Sequence, residues 1–313
     1  MSSLETSIEL KGDLLTGMEW SPAQVRALLD LTAEMKSHPE RYRGTLAGRV
    51  LILLFEKPSL RTRVTFEVGV AALGGTSIFL DHTAARLGER EPIRDIARNL
   101  ERWVQGIIAR VFAQETLDEL AGNASVPVIN ALSDRFHPCQ ALADFFTLEE
   151  RFGGLRGLKL AYVGDGNNMC HSLLICAART GAHLRVATPT GYEPDSAVVA
   201  EARRVARETR GKIEILQSPE EAVAGVQAVY TDVWASMGQE DEAAEREKVF
   251  AAYQVNERLF AHAAPDAVFL HCLPAHRGLE VAPEVIDSPR SIIYDQAENR
   301  LHVQKAILHA LLT

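Results

Sequence analysis

Short apolar runs recur along this chain, each separated from the next by a longer amphipathic stretch. That alternation constrains the fold more than any other feature. The first clear run, Val50-Leu51-Ile52-Leu53-Leu54-Phe55, is apolar at every position. A strand covered on both faces must read that way, whereas a half-exposed strand would alternate. Strands are expected at 49–55, 76–80, 106–111, 126–130, 158–163, 183–187, 213–216, 226–231, 267–270 and 291–294. Helices are expected after most of them, at 61–73, 92–104, 115–121, 138–152, 168–180, 194–209, 219–223, 246–252, 256–262 and 296–312. Short buried strands alternating with helices predict an α/β fold with parallel sheets flanked by helices. A charged, glycine-punctuated seam, EERFGGLRGLK, falls near 150–158. The expected organisation is two domains, each with a central parallel sheet. The first covers 1–150 and is joined by a C-terminal helix, 296–313, packing back on it; the second covers 151–295.

The chain has 313 residues, which suits about two domains. Its 33 Lys and Arg against 42 Asp and Glu give a formal net charge of −9. An acidic surface argues against nonspecific nucleic-acid binding, which needs phosphate neutralisation. It leaves room for a small anionic substrate, because local charge can oppose net charge. No apolar window approaches the roughly 18 residues of a membrane span. The start, MSSLETSIELKGD, lacks a basic segment followed by an apolar one, so no secretory signal is expected. Cys139, Cys170, Cys176 and Cys272 form no CxxC pair and no zinc spacing. Isolated thiols of this kind fit a reducing, cytoplasmic setting.

In parallel α/β sheets, ligands bind beyond the carboxyl ends of the strands. Residues just after the apolar runs therefore carry the functional information. Lys57-Pro58-Ser59-Leu60-Arg61-Thr62-Arg63 stands where the first strand gives way to a helix. Pro58 suits a helix start, the hydroxyls and unpaired backbone N–H groups suit an anion, and the arginines add charged forks. Arg61 is assigned to the ligand and Arg63 to a structural ion pair, since adjacent helical faces cannot both point one way. The plain alternative is a capped helix with solvated arginines. His137 and Gln140, near Pro138, occupy a second such position; a capping or core histidine is the competing reading. Gly164-Asp165-Gly166-Asn167-Asn168-Met169 looks at first like a dinucleotide turn, but Met169 stands where GxGxxG needs its third glycine. Asp232 and Cys272 end two further runs, with His271 and His276 flanking the thiol. A buried carboxylate there suits an ammonium; a strand-end cysteine is more often inert than reactive.

Taken in order, these segments resemble the aspartate/ornithine transcarbamoylase family. Its S-T-R-T-R motif appears as Ser59-Leu60-Arg61-Thr62-Arg63, and its H-P-x-Q as His137-Pro138-Cys139-Gln140. The ornithine-specific D-x-W-x-S-M-G runs from Asp232 to Gly238, H-C-L-P from His271 to Pro274, and E-N-R from Glu298 to Arg300. The resemblance covers nearly the whole chain. It implies that carbamoyl phosphate and L-ornithine are the substrates and that L-citrulline and phosphate are the products, by default in arginine biosynthesis. It implies a phosphate held by Ser59, Leu60 through its backbone, Arg61 and Thr62, with Arg300 closing over it. Arg110 and His137 are implied at the carbonyl oxygen, Gln140 at the carbamoyl amide, and Cys272 and Leu273 beside them. Asn168, Asp232, Ser236 and Met237 are implied to hold ornithine. The catalytic set implied is Thr62, Arg110, His137, Asp232 and Cys272, with no metal and no cofactor. A cis Leu273–Pro274 bond is also implied. The Gly-punctuated, densely charged segment 236–250 reads as a mobile loop that closes on ornithine, a solvated loop with no gating role being the alternative. Relatives are trimers with shared sites, so a homotrimer or a multiple of one is expected.

Two positions depart from the family. Leu60 replaces a threonine and removes a hydroxyl. Arg86 stands where relatives carry Gln or His reaching into a neighbour's phosphate site; a solvated loop arginine is the alternative. Other acceptors are N-acetylornithine, putrescine or aspartate; an acetylated or absent α-amine would leave Asp232 without its ammonium, a costly buried charge. A nicotinamide enzyme and a non-catalytic binding paralogue complete the alternatives.

Overall fold

A computed structural model describes residues 10–84, 86–235 and 240–313. The chain divides into two compact units, Met1–Leu142 with Arg300–Thr313, and Ala143–Asn299.

The first unit contains α1 (Pro22–Ser37), β1 (Val50–Phe55), α2 (Leu60–Ala72), β2 (Thr76–Asp81), α3 (Ile93–Leu100), β3 (Gly106–Arg110), α4 (Gln114–Asn123) and β4 (Val128–Leu132). It also holds the start of α5 (Pro138–Phe152). All strand pairs are parallel, in the order β2-β1-β3-β4. The chain turns from one side of β1 to the other between β2 and β3, so the switch point lies at the carboxyl ends of β1 and β3. Phe55 pairs with Arg110, and a slip after Ala109 pairs Arg110 with Leu132. Glu56, Arg110 and Ser133 are thereby brought to one edge. Behind them Ile52, Leu54, Ile107 and Ala109 pack against Ala97, Leu100, Leu117 and Leu120 of α3 and α4. Each such side chain, fully buried, stabilises by about 1.5–3 kcal/mol if large. β2 is an edge strand, and its exposure alternates accordingly.

The second unit contains β5 (Lys159–Val163), α6 (Asn168–Thr180), β6 (His183–Ala187), α7 (Ser196–Thr209), β7 (Lys212–Leu216), α8 (Pro219–Val223) and β8 (Ala228–Thr231). α9 (Ala243–Phe250), α10 (Glu257–Phe260), β9 (Val268–His271), α11 (Pro283–Ile286) and the start of α12 (Ile293–Leu312) follow. Its sheet is also fully parallel, in the order β7-β6-β5-β8-β9. The switch point here is between β5 and β8. Ala161, Val163, Val229 and Phe269 share one face and pack into a core with Phe250, Phe260 and Ile286. Side chains at the intervening positions face the other way.

The α/β class and the parallel sheets agree with the sequence reading. Three local expectations are corrected. Residues 291–294 form no strand: Ser291 makes one isolated parallel bridge to Phe269, and α12 begins at Ile293. Two β-branched residues do not make a strand when only one pairing position is available. Pro58 is not the first helical residue, because Ser59 caps α2 with its side chain accepting from the Thr62 N–H. Finally, α1 precedes the first strand and so lies outside the strand-then-helix pattern. Its start is nevertheless marked by a capping box between Ser21 and Gln24 with Pro22 in the first turn. Among the described residues, no helix is long and apolar enough to cross a membrane.

Candidate active site

In the first unit, polar side chains gather at the carboxyl edge of the sheet. Ser59 caps α2, its Oγ accepting from the Thr62 N–H at 3.2 Å. Thr62 is buried, and its Oγ1 accepts from Arg300 Nη2 at 2.8 Å. The other arm of that guanidinium, Nη1, donates to Gln140 Oε1. One arginine of α12 thus ties the first turn of α2 to the first turn of α5. Arg110, at the end of β3, and His137, just before α5, are both buried. Burial, reinforced by Arg300 and Arg110, pushes the His137 imidazole well below its ordinary range. It is therefore neutral and can donate from one nitrogen. Thr62, Arg110, His137, Gln140 and Arg300 form one cluster. Arg61 sits beside Thr62 in the helix start. Leu60 is 76% exposed, so the threonine-to-leucine departure costs no packing. Arg63 pairs with Glu67 at 3.1 Å and lies over the Phe79 ring, 3.7 Å from its centroid.

Two neighbours of this cluster escaped the sequence reading. Lys57 is buried, and its Nζ lies 4.3 Å from the Phe112 ring centroid. Burial and then Arg110 push its pKa down. Glu56 is also buried; its two oxygens accept from Leu87 N at 2.7 Å and Phe112 N at 2.8 Å. That carboxylate pins the segment carrying Arg86, whose guanidinium covers the same Phe112 ring at 4.3 Å. The only signal available was a Glu-Lys pair directly after a buried strand, which reads as an ordinary solvated end.

The second unit has its own cluster at the β5/β8 switch point. Register sets Thr231 beside His271. One residue further on, Asp232 and Cys272 meet: Cys272 Sγ donates to Asp232 Oδ1 at 3.0 Å. Asn167 caps α6, its Oδ1 accepting from Met169 N and Cys170 N at 2.9 and 3.1 Å. Its Nδ2 donates to Asp232 Oδ2 at 3.0 Å. The residue bracing Asp232 is thus Asn167, which the sequence reading passed over for Asn168, the first residue of α6. Burial, followed by Asp232, raises the Cys272 thiol well above its usual range. Leu273 has φ 59° and a cis bond to Pro274. Ser236 and Met237 lie outside the described residues.

Gly166 explains the glycine-rich turn. A Cβ there would fall 2.2 Å from Pro194 N. Its glycine admits the chain's own 192–194 segment, so the space a dinucleotide pyrophosphate needs is filled by protein. Among the described residues, Asp232, His271 and Cys272 bring ligand-type atoms within 4.8 Å of one another. His271 Nδ1, however, accepts from Leu273 N at 2.9 Å, and its Nε2 faces Glu280 at 3.2 Å. Both ring nitrogens are committed, which does not suit a metal centre. Arg246 supports the other side of the cluster. It donates to Asp165 Oδ2 at 2.8 Å, Trp234 O at 2.9 Å and Glu242 Oε2 at 2.9 Å.

Residues 12–150 match the model of the aspartate/ornithine carbamoyltransferase carbamoyl-P binding domain, and 156–311 match that of its Asp/Orn binding domain. The ornithine carbamoyltransferase of Thermus thermophilus is 53% identical over 307 residues, covering 98% of each chain. That of Pyrococcus furiosus, described as anabolic, is 50% identical over 301 residues, 95% of each chain. A solved ornithine carbamoyltransferase structure from Pyrococcus furiosus superposes with a TM-score of 0.94 at 48% identity, covering 97% of this chain and 98% of that one.

Proposed function

The chain belongs to the aspartate/ornithine carbamoyltransferase family, and on that premise we propose that it carbamoylates the δ-amine of L-ornithine. Carbamoyl phosphate is the donor, and L-citrulline and phosphate are the products, in the anabolic direction of arginine synthesis. The first unit is the carbamoyl-phosphate domain and the second the ornithine domain.

Backbone N–H groups at the start of α2, with Ser59, Leu60, Arg61 and Thr62, take the phosphate. Arg300 and Arg110 add charge. Thr62 already accepts from Arg300, so its own proton is left to give to the ligand. Thr62, Arg110 and neutral His137 donate to the carbonyl oxygen as negative charge develops there. Removing one such donor costs about 2.7–4 kcal/mol of transition-state stabilisation. Gln140 takes the carbamoyl NH2. Asp232, braced by Asn167, takes the α-ammonium of ornithine; Asn168, with Ser236 and Met237, takes the carboxylate. Cys272 and Leu273 stand at the reacting amine. That amine, with a free pKa of about 10.4, must be neutral to attack. The carbamoyl carbon then passes through a tetrahedral intermediate, and the C–O bond to phosphate breaks.

The observation favouring ornithine over other acceptors is the buried Asp232 carboxylate, held by Asn167 and Cys272. An acceptor without a free α-ammonium leaves that charge uncompensated. Product formation with ornithine, aspartate, N-acetylornithine and putrescine across pH 6–10 tests this. Citrulline from ornithine alone, rising with pH, is expected; preference for another amine sinks the assignment.

The protein acts in the cytoplasm as a homotrimer or a multiple of one. Supporting this, α2 leaves Leu60, Val64 and Val68 exposed at helical spacing, and edge strand β2 leaves Ile78 and Leu80 exposed. Arg86 completes the phosphate site of a neighbouring subunit.

A further inference from the structure

Arg110 and His137, the two side chains assigned to the carbonyl oxygen, stand on separate loops, and hydrogen bonds lace those loops together. Arg110 ends β3, and the chain runs on through Phe112 to Gln114, the first residue of α4. β4 ends at Leu132, paired with Arg110, and the chain runs on through Ser133 to His137, just before α5. The backbone supplies two ties: Val111 N donates to Leu132 O at 2.9 Å, and Asp134 N to Phe112 O at 3.1 Å. Side chains supply two more. Asp134 Oδ1 accepts from Gln114 N at 2.9 Å, and Ser133 Oγ donates to Gln114 Oε1 at 2.6 Å. Ser133 and Gln114 are both buried, and Gln114 is held in turn, its Nε2 donating to Asp118 Oδ1 at 3.0 Å. The Ser133 hydroxyl also shapes its own loop. It accepts from Arg135 N at 3.2 Å and Phe136 N at 3.0 Å, while Ser133 N donates to Phe136 O at 2.9 Å. Residues 133–136 are thereby closed into a turn. Directly after it, His137 O accepts from Gln140 N and Ala141 N at 3.1 and 3.2 Å, so the histidine backbone is fixed from both sides.

We propose that Ser133, braced by Gln114, is a positioning residue for His137: it sets the spacing between the imidazole and Arg110, so that both donors meet one developing oxyanion. The hydroxyl shapes the His137 loop and reaches the Arg110 loop, so its removal loosens the two at once. Donors that share a single target tolerate little error, and a misplacement of about 1 Å can cost about 100-fold in rate. A serine that served folding alone would make the same hydrogen bonds. The two roles differ in what its loss does once His137 itself is gone. The inference rests on the reading that Arg110 and His137 donate to the carbonyl oxygen.

The test is a double-mutant cycle in the full chain: wild type, Ser133→Ala, His137→Ala and the double variant, each assayed for citrulline with both substrates varied. Ser133→Ala is expected to lower kcat about tenfold or more, with the KM for ornithine unchanged within about twofold. In the His137→Ala background the same substitution should change kcat by less than about twofold, because the group it positions is absent. A smaller folded fraction lowers both backgrounds alike and leaves that contrast untouched. Equal factors in the two backgrounds, or no loss in either, overturn the proposal. Should Ser133→Ala fail to fold, Gln114→Met removes the acceptor at similar volume and is read by the same contrast. A wild type that makes citrulline while the factors are equal loses the Ser133 assignment alone. Carbamoyl transfer to another amine, with the contrast present, sinks the ornithine reading and keeps Ser133. No carbamoyl transfer to any amine overturns both.

Discussion

Asp232 is the residue on which the acceptor turns. Asp232→Asn keeps the shape but removes the charge meant for the α-ammonium, and its NH2 replaces one of the two oxygens that accept from Asn167 and Cys272. We expect kcat/KM for ornithine to fall at least about 100-fold, near 3 kcal/mol, with carbamoyl phosphate binding intact. Retention of full activity would remove Asp232 from substrate binding. His137 makes a second prediction through pH. The unfolded chain takes up a proton at this residue below about pH 6.5, whereas the folded chain, with its imidazole depressed by burial and two arginines, does not. Its contribution to stability is thus fully present above that value and is lost as pH falls, at up to about 1.4 kcal/mol per unit, until the folded imidazole itself titrates. Urea unfolding of wild type and His137→Gln should differ by a constant at neutral pH and diverge below about 6.5; parallel curves would contradict the assignment. Much at this scale was legible, because Thr62, Gln140 and Arg300 sit in recognisable motifs and the structure joins them. Asn167 was not. Whether a helix-start asparagine is the cap or the first helical residue depends on one backbone torsion, and its second partner, Asp232, is 65 residues away.

Among the elements, the strands were the most legible, because burial on both faces forces unbroken apolar runs such as β1 and β3. What failed was local pairing. The 291–294 segment has strand-like residues, but Phe269 offers it one bridge and helix α12 takes over. Arg246 shows how an element end serves a site that sequence alone could not connect. α9 brings its guanidinium to the Trp234 carbonyl and to Asp165, which are 12 and 81 residues earlier in the chain. Nη1 holds both of these partners while Nε holds Glu242, so Arg246→Lys keeps the charge but loses the planar fork that serves all three at once. We expect the KM for ornithine to rise about tenfold while that for carbamoyl phosphate stays within about twofold. Steady-state kinetics with each substrate varied in turn would show it. Equal changes in both constants would mean that Arg246 supports stability alone.

For the whole molecule, net charge misleads: at −9 the chain is acidic, yet buried Lys57, Arg110 and Arg300 gather at the sheet edge where the proposed function seats a dianion. Quaternary structure was the least legible feature, because an exposed apolar stripe does not state its partner. The trimer reading has two consequences that separate it from a monomer. Light scattering should give a mass near three times 34.4 kDa. Shared sites make a stronger demand. Arg86→Ala homotrimers lack the neighbour's arginine at every site, and Asp232→Asn homotrimers lack the acceptor carboxylate at every site. When the two are unfolded, mixed in equal amounts and refolded, a site regains both residues only where an Arg86→Ala subunit supplies Asp232 and its neighbour supplies Arg86. Random assembly on a threefold axis restores about a quarter of the sites. Activity should therefore return in the mixture to roughly that fraction of wild type, although neither parent recovers alone. If Arg86 serves its own chain, from its seat on Phe112, no mixed trimer contains a complete site beyond those of the parents. Recovery then stays at the parental level, and Arg86 belongs to the subunit that carries it.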